Sequence, residues 1–283
     1  MNSEKQQYIT IEDVLNHARI LISYNDARIL LQNVLKINHA YIITHPEQDL
    51  TPIQIHTFQL LVKRRASGEP VSYILGECEF YSIKFKVTPS VLIPRPETEL
   101  LVDLALEKIS LGMSCEILDL GTGSGAIAIT IAKHRALSNV TAADNSADAI
   151  AIAKTNAECL SVNNINFIKS DWFGELTRKR FDLIISNPPY IALNDPHLNQ
   201  KDLRFEPELA LVAGQDGMDC IQTIISSATS YLNAGGWLLL EHGYNQAKIT
   251  KQLLKESGFI NIFSRSDLAG ISRVSGGRYD PPL

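Results

Sequence analysis

The chain has 283 residues, 45% of them hydrophobic and 20% charged, which suits a globular protein with room for one large domain and one small one. Its formal net charge of −5 argues against a broad, non-specific nucleic-acid footprint, because neutralising phosphates takes a basic face. There is no apolar run of membrane-spanning length, the polar start Met1-Asn2-Ser3-Glu4-Lys5-Gln6-Gln7 is unlike a signal peptide, and the scattered Cys78, Cys115, Cys159 and Cys220 form neither a disulfide framework nor a zinc motif, so the reading is a cytoplasmic protein with no membrane and no metal.

Thr10 followed by Asp13 has the form of a capping box, and Val14, Leu15, Ala18, Leu21 and Ile22 then recur at helical spacing. Asn25 or Asp26 can cap a second helix whose apolar stripe is Ala27, Leu30, Leu31, Val34 and Leu35. Thr51-Pro52 opens another, with a hydroxyl at the cap and proline at the first helical position, and Gly68 with Pro70 closes it. Residues 1–70 are therefore expected to form a small helical bundle, with Lys63-Arg64-Arg65 as a solvated helix face. Ile83, Phe85 and Val87 alternate with Ser82, Lys84 and Lys86, the period of a strand with one wet face. Val71 to Leu75 can pair with it across Gly76, which makes 71–88 an expected β-hairpin linker.

From residue 89 to 283 strand-like runs alternate with helical ones: Glu116 to Leu120, Ala126 to His134, Val140 to Ala143, Ala147 to Cys159, Ile165 to Ile168, Phe181 to Ser186, Cys220 to Leu232 and Trp237 to Glu241. That alternation predicts an α/β domain with a mainly parallel sheet and helices on both faces. No internal repeat or low-complexity tract is visible.

The first strand of this region runs into Asp119-Leu120-Gly121-Thr122-Gly123-Ser124-Gly125 and then directly into a helix, the pattern of a loop that holds a nucleoside cofactor. Glycines let a ligand approach the backbone, and the helix N-terminus can hold an electron-rich group. The next strand ends at Asp144, about 20 residues beyond the loop, where a carboxylate receives ribose hydroxyls. Gly121-x-Gly123-x-x-Ala126 also satisfies a relaxed dinucleotide fingerprint, so a nicotinamide enzyme is a rival. Against it stands Asp119, whose charge would repel a pyrophosphate but suits the cationic methionyl end of S-adenosyl-L-methionine. Asp171-Trp172 follows another strand and offers adenine a polar partner and an aromatic face, or else is a core tryptophan beside a capping aspartate.

Asn187-Pro188-Pro189-Tyr190 follows the apolar strand Phe181 to Ser186 and so lies at its C-terminal edge, where open α/β sheets bind ligands. Two prolines stiffen the backbone and donate no N–H, leaving a row of acceptors for both hydrogens of a planar NH2 group, with the Tyr190 ring beside it. The plain alternative is a rigid turn. Asn187, Pro188, Pro189 and Tyr190 are the candidate catalytic residues. Asp119, Gly121, Thr122, Gly123, Ser124, Gly125, Asp144, Asp171, Trp172 and Asn187 are the candidate cofactor-binding set.

These residues resemble the HemK/PrmC-type protein-(glutamine-N5) methyltransferases that modify class 1 peptide chain release factors. The resemblance spans nearly the whole chain, including Pro70 to Glu77, Ile93-Pro94-Arg95-Pro96-Glu97-Thr98-Glu99, the loop from Asp119 to Gly125, Asn187 to Tyr190, Glu206-Pro207, Gly214 to Gly217, Glu241-His242-Gly243 with Gln246, and Asp267 to Gly270. One departure is Ser272 before Arg273-Val274, where the family usually has Asp. The resemblance implies a class I (Rossmann-like) methyltransferase domain with a mainly parallel seven-stranded sheet behind an N-terminal docking domain. It also implies S-adenosyl-L-methionine as donor, S-adenosyl-L-homocysteine as product, and the release-factor Gly-Gly-Gln glutamine as acceptor. Arg95, Glu97 and Glu99 are expected to line the entrance and position substrate, or else to be a surface charge cluster. A ribosomal-protein glutamine methyltransferase, a nucleic-acid adenine N6-methyltransferase and a non-catalytic cofactor-binding adaptor are the other readings, the second disfavoured by the acidic charge and the third by the intact amide-holding motif.

Overall fold

The computed structural model describes residues 9–176, 179–199 and 202–281. It divides into two compact units, Met1–Gly76 and Glu77–Leu283, each with its own core.

The first unit opens with α1 (Ile11–Ala18), and the Thr10/Asp13 capping box is formed in both directions. The helix stops at Ala18, which leaves Leu21 64% exposed, so the expected stripe ran one turn too far. Helix α2 (Tyr24–Leu35) is capped by Ser23, whose hydroxyl accepts from Asp26 N at 3.0 Å, rather than by Asn25 or Asp26. Asp26 instead lies in the first turn, where the helix dipole favours a carboxylate, and it pairs with Arg65 at 2.8 Å. Helix α3 (His39–Thr44) was not expected; it buries only Ile42, too little apolar pattern to show. Helix α4 (Pro52–Ala66) begins at the Thr51/Gln54 capping box. Val71–Leu75, expected as a strand, is helix α5, started by Pro70 and ended by Gly76 at φ +75°. Its β-branched residues were outweighed by these two boundary residues, which admit a short helix and stop it at once. Ile11, Leu30, Leu31 and Phe58 sit at the centre of this unit's core.

In the second unit β1 (Glu77–Phe80) and β2 (Ile83–Lys86) form the expected hairpin, with Glu77 rather than the 71–75 segment opening it. Tyr81 and Ser82 turn the corner at φ +53° and +58°, the left-handed pair that a two-residue hairpin loop requires. Next come α6 (Glu99–Lys108), β3 (Glu116–Leu120), α7 (Ala126–His134), β4 (Asn139–Asp144), α8 (Ala147–Cys159), β5 (Ile165–Lys169) and β6 (Phe181–Ser186). The unit continues through α9 (Asp219–Ala228), β7 (Leu232–Glu241), α10 (Ala247–Glu256), β8 (Phe259–Ser266) and β9 (Ser272–Tyr279). The sheet has seven strands in the order β5-β4-β3-β6-β7-β9-β8, all running the same way except β9, which is antiparallel to both its neighbours.

Side chains alternate across the sheet, so Ile117 and Leu183 join the core under α6 and α7 while Leu118, Leu120 and Ile184 join the one under α9. The chain leaves β3 toward β4 and β5, then returns to place β6 on the other side of β3. This reversal opens a crevice outside the carboxyl ends of β3 and β6, the usual ligand position in such sheets. Among the described residues no helix is long and apolar enough to cross a membrane.

Candidate active site

Leu120 lies opposite Ser186 in the β3–β6 ladder, and the Ser186 hydroxyl donates to Leu120 O at 2.7 Å. Gly121 and Asn187 therefore leave adjacent strands side by side, about 5 Å apart in the hydrogen-bonding direction. One strand delivers the glycine loop and the other the Asn-Pro-Pro-Tyr corner.

The loop turns through Gly121, Gly123 and Gly125 at φ +72°, +56° and +81°. Gly125 is the N-cap of α7, and a Cβ there would stand 2.7 Å from Ile129 Cδ1 and 3.1 Å from Ala153 Cβ, so both its backbone angle and its neighbours require glycine. Thr122 and Ser124 are buried, and the Thr122 hydroxyl donates to Asp119 Oδ2 at 2.7 Å. Asp119 is fully buried, its Oδ1 has no hydrogen-bond partner among the described residues, and burial, with the nearby Asp144 charge adding to it, pushes its carboxyl up to about 7. At the end of β4, Asp144 accepts from Gly123 N at 2.8 Å through Oδ2 and from Ser146 N at 2.9 Å through Oδ1. Burial raises its carboxyl above the usual range against the pull of those N–H groups.

Ser170 N donates to Asp144 O at 2.9 Å, joining the ends of β4 and β5. Beyond it Trp172 adopts φ +45°, its carbonyl accepts from the Ser170 hydroxyl at 2.9 Å, and its half-buried ring passes 3.9 Å from where a Gly121 Cβ would lie. Trp172 also packs against the core under α9, so it is at once a core residue and a wall beside the loop. The side chain of Asp171 is exposed, while its carbonyl accepts from Gly174 N at 2.9 Å.

Asn187, Pro188 and Tyr190 share a cleft of about 170 Å³ with Leu92, Arg95, Ile191, Leu203, Ala210 and Leu211. Pro189 completes the corner but does not line the cleft. The Asn187 Nδ2 donates to Thr98 Oγ1 at 3.2 Å, and the Tyr190 hydroxyl donates to Glu241 Oε1 at 3.2 Å. Burial, with Glu241 adjacent, raises the Tyr190 phenol. Glu241, at the end of β7, is 1% exposed, and burial pushes its carboxyl up to about 7 while the Thr98 hydroxyl, Tyr190 and Arg273 favour its charged form. The Tyr190 carbonyl is held from the side by Gln246 Nε2 at 3.0 Å; the same amide reaches Gly217 O at 3.3 Å, and its Oε1 accepts from Gly243 N at 2.8 Å. His242 links β7 to β9 through Ser275 Oγ at 2.8 Å and contacts Gly243 O at 2.9 Å; burial lowers its pKa.

Of the three charged residues expected at the entrance, Arg95 lines the cleft and forms an ion pair with Glu206, whose other oxygen accepts from Ile93 N at 3.1 Å. Glu97 is exposed on the 3-10 turn Pro96–Thr98. Glu99 is a correction: its Oε1 accepts from Tyr81 N at 2.7 Å and so secures the β1–β2 turn, not the entrance. The residue of that segment that meets the corner is Thr98, which, like Glu206, entered the sequence reading only within the family resemblance and with no role assigned. Glu241 and Gln246 stood out only through the family resemblance. Where the family usually has Asp, Ser272 meets Ser264 Oγ at 2.7 Å, and Arg273 takes its carboxylate from Asp267 at 3.0 Å. Among the described residues no group of three or more His, Cys, Asp or Glu is placed to hold a metal ion.

Residues 8–76 match the family "PrmC N-terminal domain" and residues 96–201 match "Methyltransferase small domain". A release factor glutamine methyltransferase of Vibrio cholerae is 46% identical over 255 residues, spanning 90% of this chain and 89% of that protein. One from Coxiella burnetii is 48% identical over 249 residues, spanning 88% and 89%. Among solved structures, a methyltransferase from Pyrococcus furiosus superposes with a TM-score of 0.54 at 19% identity, covering 71% of this chain and 91% of that one, a likeness of fold.

Proposed function

Because the chain belongs to the release factor glutamine methyltransferase family, we propose that it transfers a methyl group from S-adenosyl-L-methionine to the side-chain amide nitrogen of the glutamine in the Gly-Gly-Gln loop of class 1 peptide chain release factors, in the cytoplasm. The observation that carries this reading is the pairing of Leu120 with Ser186, which sets a glycine loop suited to the donor beside a corner suited to the acceptor.

The residues around the loop fit the donor. Asp119 Oδ1 is a buried acceptor without a hydrogen-bond partner among the described residues, matched to a cationic amine directly or through one water. Asp144 is locked by two backbone N–H groups and keeps lone pairs for ribose hydroxyls. The Trp172 ring offers an aromatic face beside Gly121 for the adenine, with Asp171 at the rim. Gly121, Thr122, Gly123, Ser124 and Gly125 supply a backbone that a ligand can approach closely.

When bound, the donor supplies a methyl group already activated by a sulfonium, so the remaining task falls to the chain: orienting the acceptor. An amide nitrogen is a poor nucleophile because its lone pair is delocalised into the carbonyl. Asn187 Oδ1 and the Pro188 carbonyl receive its two hydrogens, Tyr190 packs on the amide plane, and the nitrogen is held in line for displacement. Positioning of this kind supplies up to about 7–11 kcal/mol of a barrier in favourable cases. The extra proton leaves afterwards, since the methylated nitrogen is far more acidic than the starting amide. Arg95, braced by Glu206, faces the same cleft and positions the substrate backbone; Glu97 contributes charge at its outer edge. The N-terminal unit serves as the partner-docking domain.

The test is incubation with labelled S-adenosyl-L-methionine and, separately, a class 1 release factor, its loop Gln→Ala variant, ribosomal protein and duplex DNA, followed by peptide mass spectrometry. Label on the loop glutamine alone is expected. Label on the Gln→Ala variant, the ribosomal protein or the DNA overturns the reading.

A further inference from the structure

Asn156 lies on α8, is 2% exposed, and belongs to none of the motifs that mark the site. Its carboxamide is fully engaged with backbone groups from two other segments. Oδ1 accepts from Lys86 N at 2.7 Å, while Nδ2 donates to Lys86 O at 3.0 Å and to Ser124 O at 2.8 Å. Turned over, the amide would set its oxygen against two carbonyl oxygens and its NH2 against an N–H, so only one orientation is satisfied.

Lys86 can be held in this way because of the register of the hairpin. The two-residue turn at Tyr81 and Ser82 is closed by the hydrogen-bonded pair Phe80–Ile83, and antiparallel ladders alternate bonded with non-bonded pairs. Glu77–Lys86, at the far end of the ladder, is therefore a non-bonded pair. The N–H and C=O of Lys86 face away from β1, and the Asn156 amide takes both as a neighbouring strand would. The Lys86 side chain is exposed and takes no part.

The other partner is the peptide that joins Ser124 to Gly125. Its C=O meets Asn156, and its N–H donates to Thr122 O at 2.8 Å. Gly125 stands at φ +81°, and glycine accepts either sign of φ readily, so the chain alone does not fix the plane of this peptide. Asn156 supplies the missing constraint. Were the peptide to rotate, a buried donor would lose its partner and the loop would present a different set of backbone groups. Ala153, one turn earlier on the same face of α8, is the residue that crowds Gly125, so packing and hydrogen bonding fix the same point.

We infer that Asn156 is a positioning residue for the donor site: it sets the Ser124–Gly125 peptide and anchors the glycine loop to the open edge of β2, which makes the β1–β2 hairpin part of the donor-binding framework. This rests on the reading of residues 121–125 as the loop that receives S-adenosyl-L-methionine.

The experiment uses the full-length chain with S-adenosyl-L-homocysteine as the probe. Asn156→Asp keeps the shape and the acceptor for Lys86 N but replaces the donating NH2. It should weaken binding about tenfold or more in calorimetric titration and raise KM for the donor by a similar factor, with kcat at saturating donor within about threefold. Asn164 is the comparison, because its Nδ2 donates to Ala132 O at 3.1 Å and Ser138 O at 2.9 Å, at the end of α7 away from the loop. Asn164→Asp should lower the melting temperature yet leave affinity within about twofold. Unchanged affinity in Asn156→Asp, or equal losses in the two variants, would overturn the inference. A second measurement needs no substitution and decides the matter even if Asn156→Asp does not fold. In hydrogen exchange on the wild-type chain, saturating S-adenosyl-L-homocysteine should slow the Lys86 amide about tenfold more than the Glu116 amide, which is also held by a side-chain oxygen, Asp182 Oδ2 at 2.9 Å, but at the end of β3 away from the loop. Equal slowing would overturn the inference. A wild-type chain that takes up no S-adenosyl-L-homocysteine would instead overturn the reading of the loop itself, a result distinct from these.

Discussion

Gly125 and Gly258 allow the cost of a crowded glycine to be separated from that of a merely left-handed one. Both have positive φ, +81° and +84°, but a Cβ on Gly258 would meet no atom of the described residues within 4 Å, whereas one on Gly125 would stand 2.7 Å from Ile129 Cδ1 and 3.1 Å from Ala153 Cβ. Gly258→Ala therefore pays only for a left-handed L-residue, about 1–2 kcal/mol. Gly125→Ala pays that and overpacking as well, typically 1–3 kcal/mol, for about 2–5 in all. Ile129 can swing its terminal methyl aside, but Ala153 has no rotamer to change, so the α7–α8 contact must itself give way. In thermal unfolding the larger unit should lose roughly 2–4 °C per kcal/mol, so the Gly125 variant should melt clearly below the Gly258 variant. Calorimetric titration with S-adenosyl-L-homocysteine should show binding weakened about tenfold or more by Gly125→Ala and unchanged by Gly258→Ala. Equal melting temperatures and equal affinities for the two variants would refute the packing argument and with it the claim that the neighbours of position 125 require glycine there.

Three further outcomes are expected. Asn187→Ala should lower kcat about 10²–10³-fold, as deletion of one oriented polar group does elsewhere, in a tritium-transfer assay with release factor; full activity would remove its assigned role. Asp144→Ala should weaken cofactor binding about 10–100-fold by calorimetry, the worth of hydrogen bonds to a charged group, while Asp216→Ala, a turn residue accepting from Met218 N at 3.0 Å, should not. Burial raises the Asp119 carboxyl from 3.8 to about 7, so its contribution to stability is full below about pH 4 and is lost as pH rises through 7. The stability advantage of wild type over Asp119→Asn should therefore shrink between about pH 4 and 7, by at most on the order of 4 kcal/mol in urea unfolding; a constant difference would mean the carboxyl titrates normally.

Elements with a strong apolar period were legible from residues alone: Glu116–Leu120, Ala126–His134, Ala147–Cys159 and Phe181–Ser186 coincide with β3, α7, α8 and β6. What failed was governed by single residues or by distant partners. Val71–Leu75 carries strand-forming side chains, yet Pro70 and Gly76 make it a helical turn. The hairpin corner uses Tyr81 and Ser82 at positive φ, which no glycine advertises. Strand β9 contains Gly276 and Gly277, which dilute its pattern; a Cβ at Gly276 would lie 2.6 Å from Leu239 Cδ2, so the close approach of β7 that demands glycine is invisible until the sheet is assembled. In the site, the loop and the Asn-Pro-Pro-Tyr corner were evident as local motifs. Thr98 and Glu206 were not, since their partners Asn187 and Arg95 lie 89 and 111 residues away.

The Gln246 side chain has a bearing on how the enzyme is born. Tyr190 leaves the peptidyl-transfer centre 56 residues ahead of the glutamine that clasps its carbonyl, an interval of roughly 3–11 s at ordinary elongation speeds. Strand β9, synthesised later still, must then slot between β7 and β8 rather than add to a free border. A nascent chain can thus display every group that would touch donor and acceptor while lacking the framework that aims them, and a product truncated ahead of β9 should be inert despite an intact set of reactive motifs.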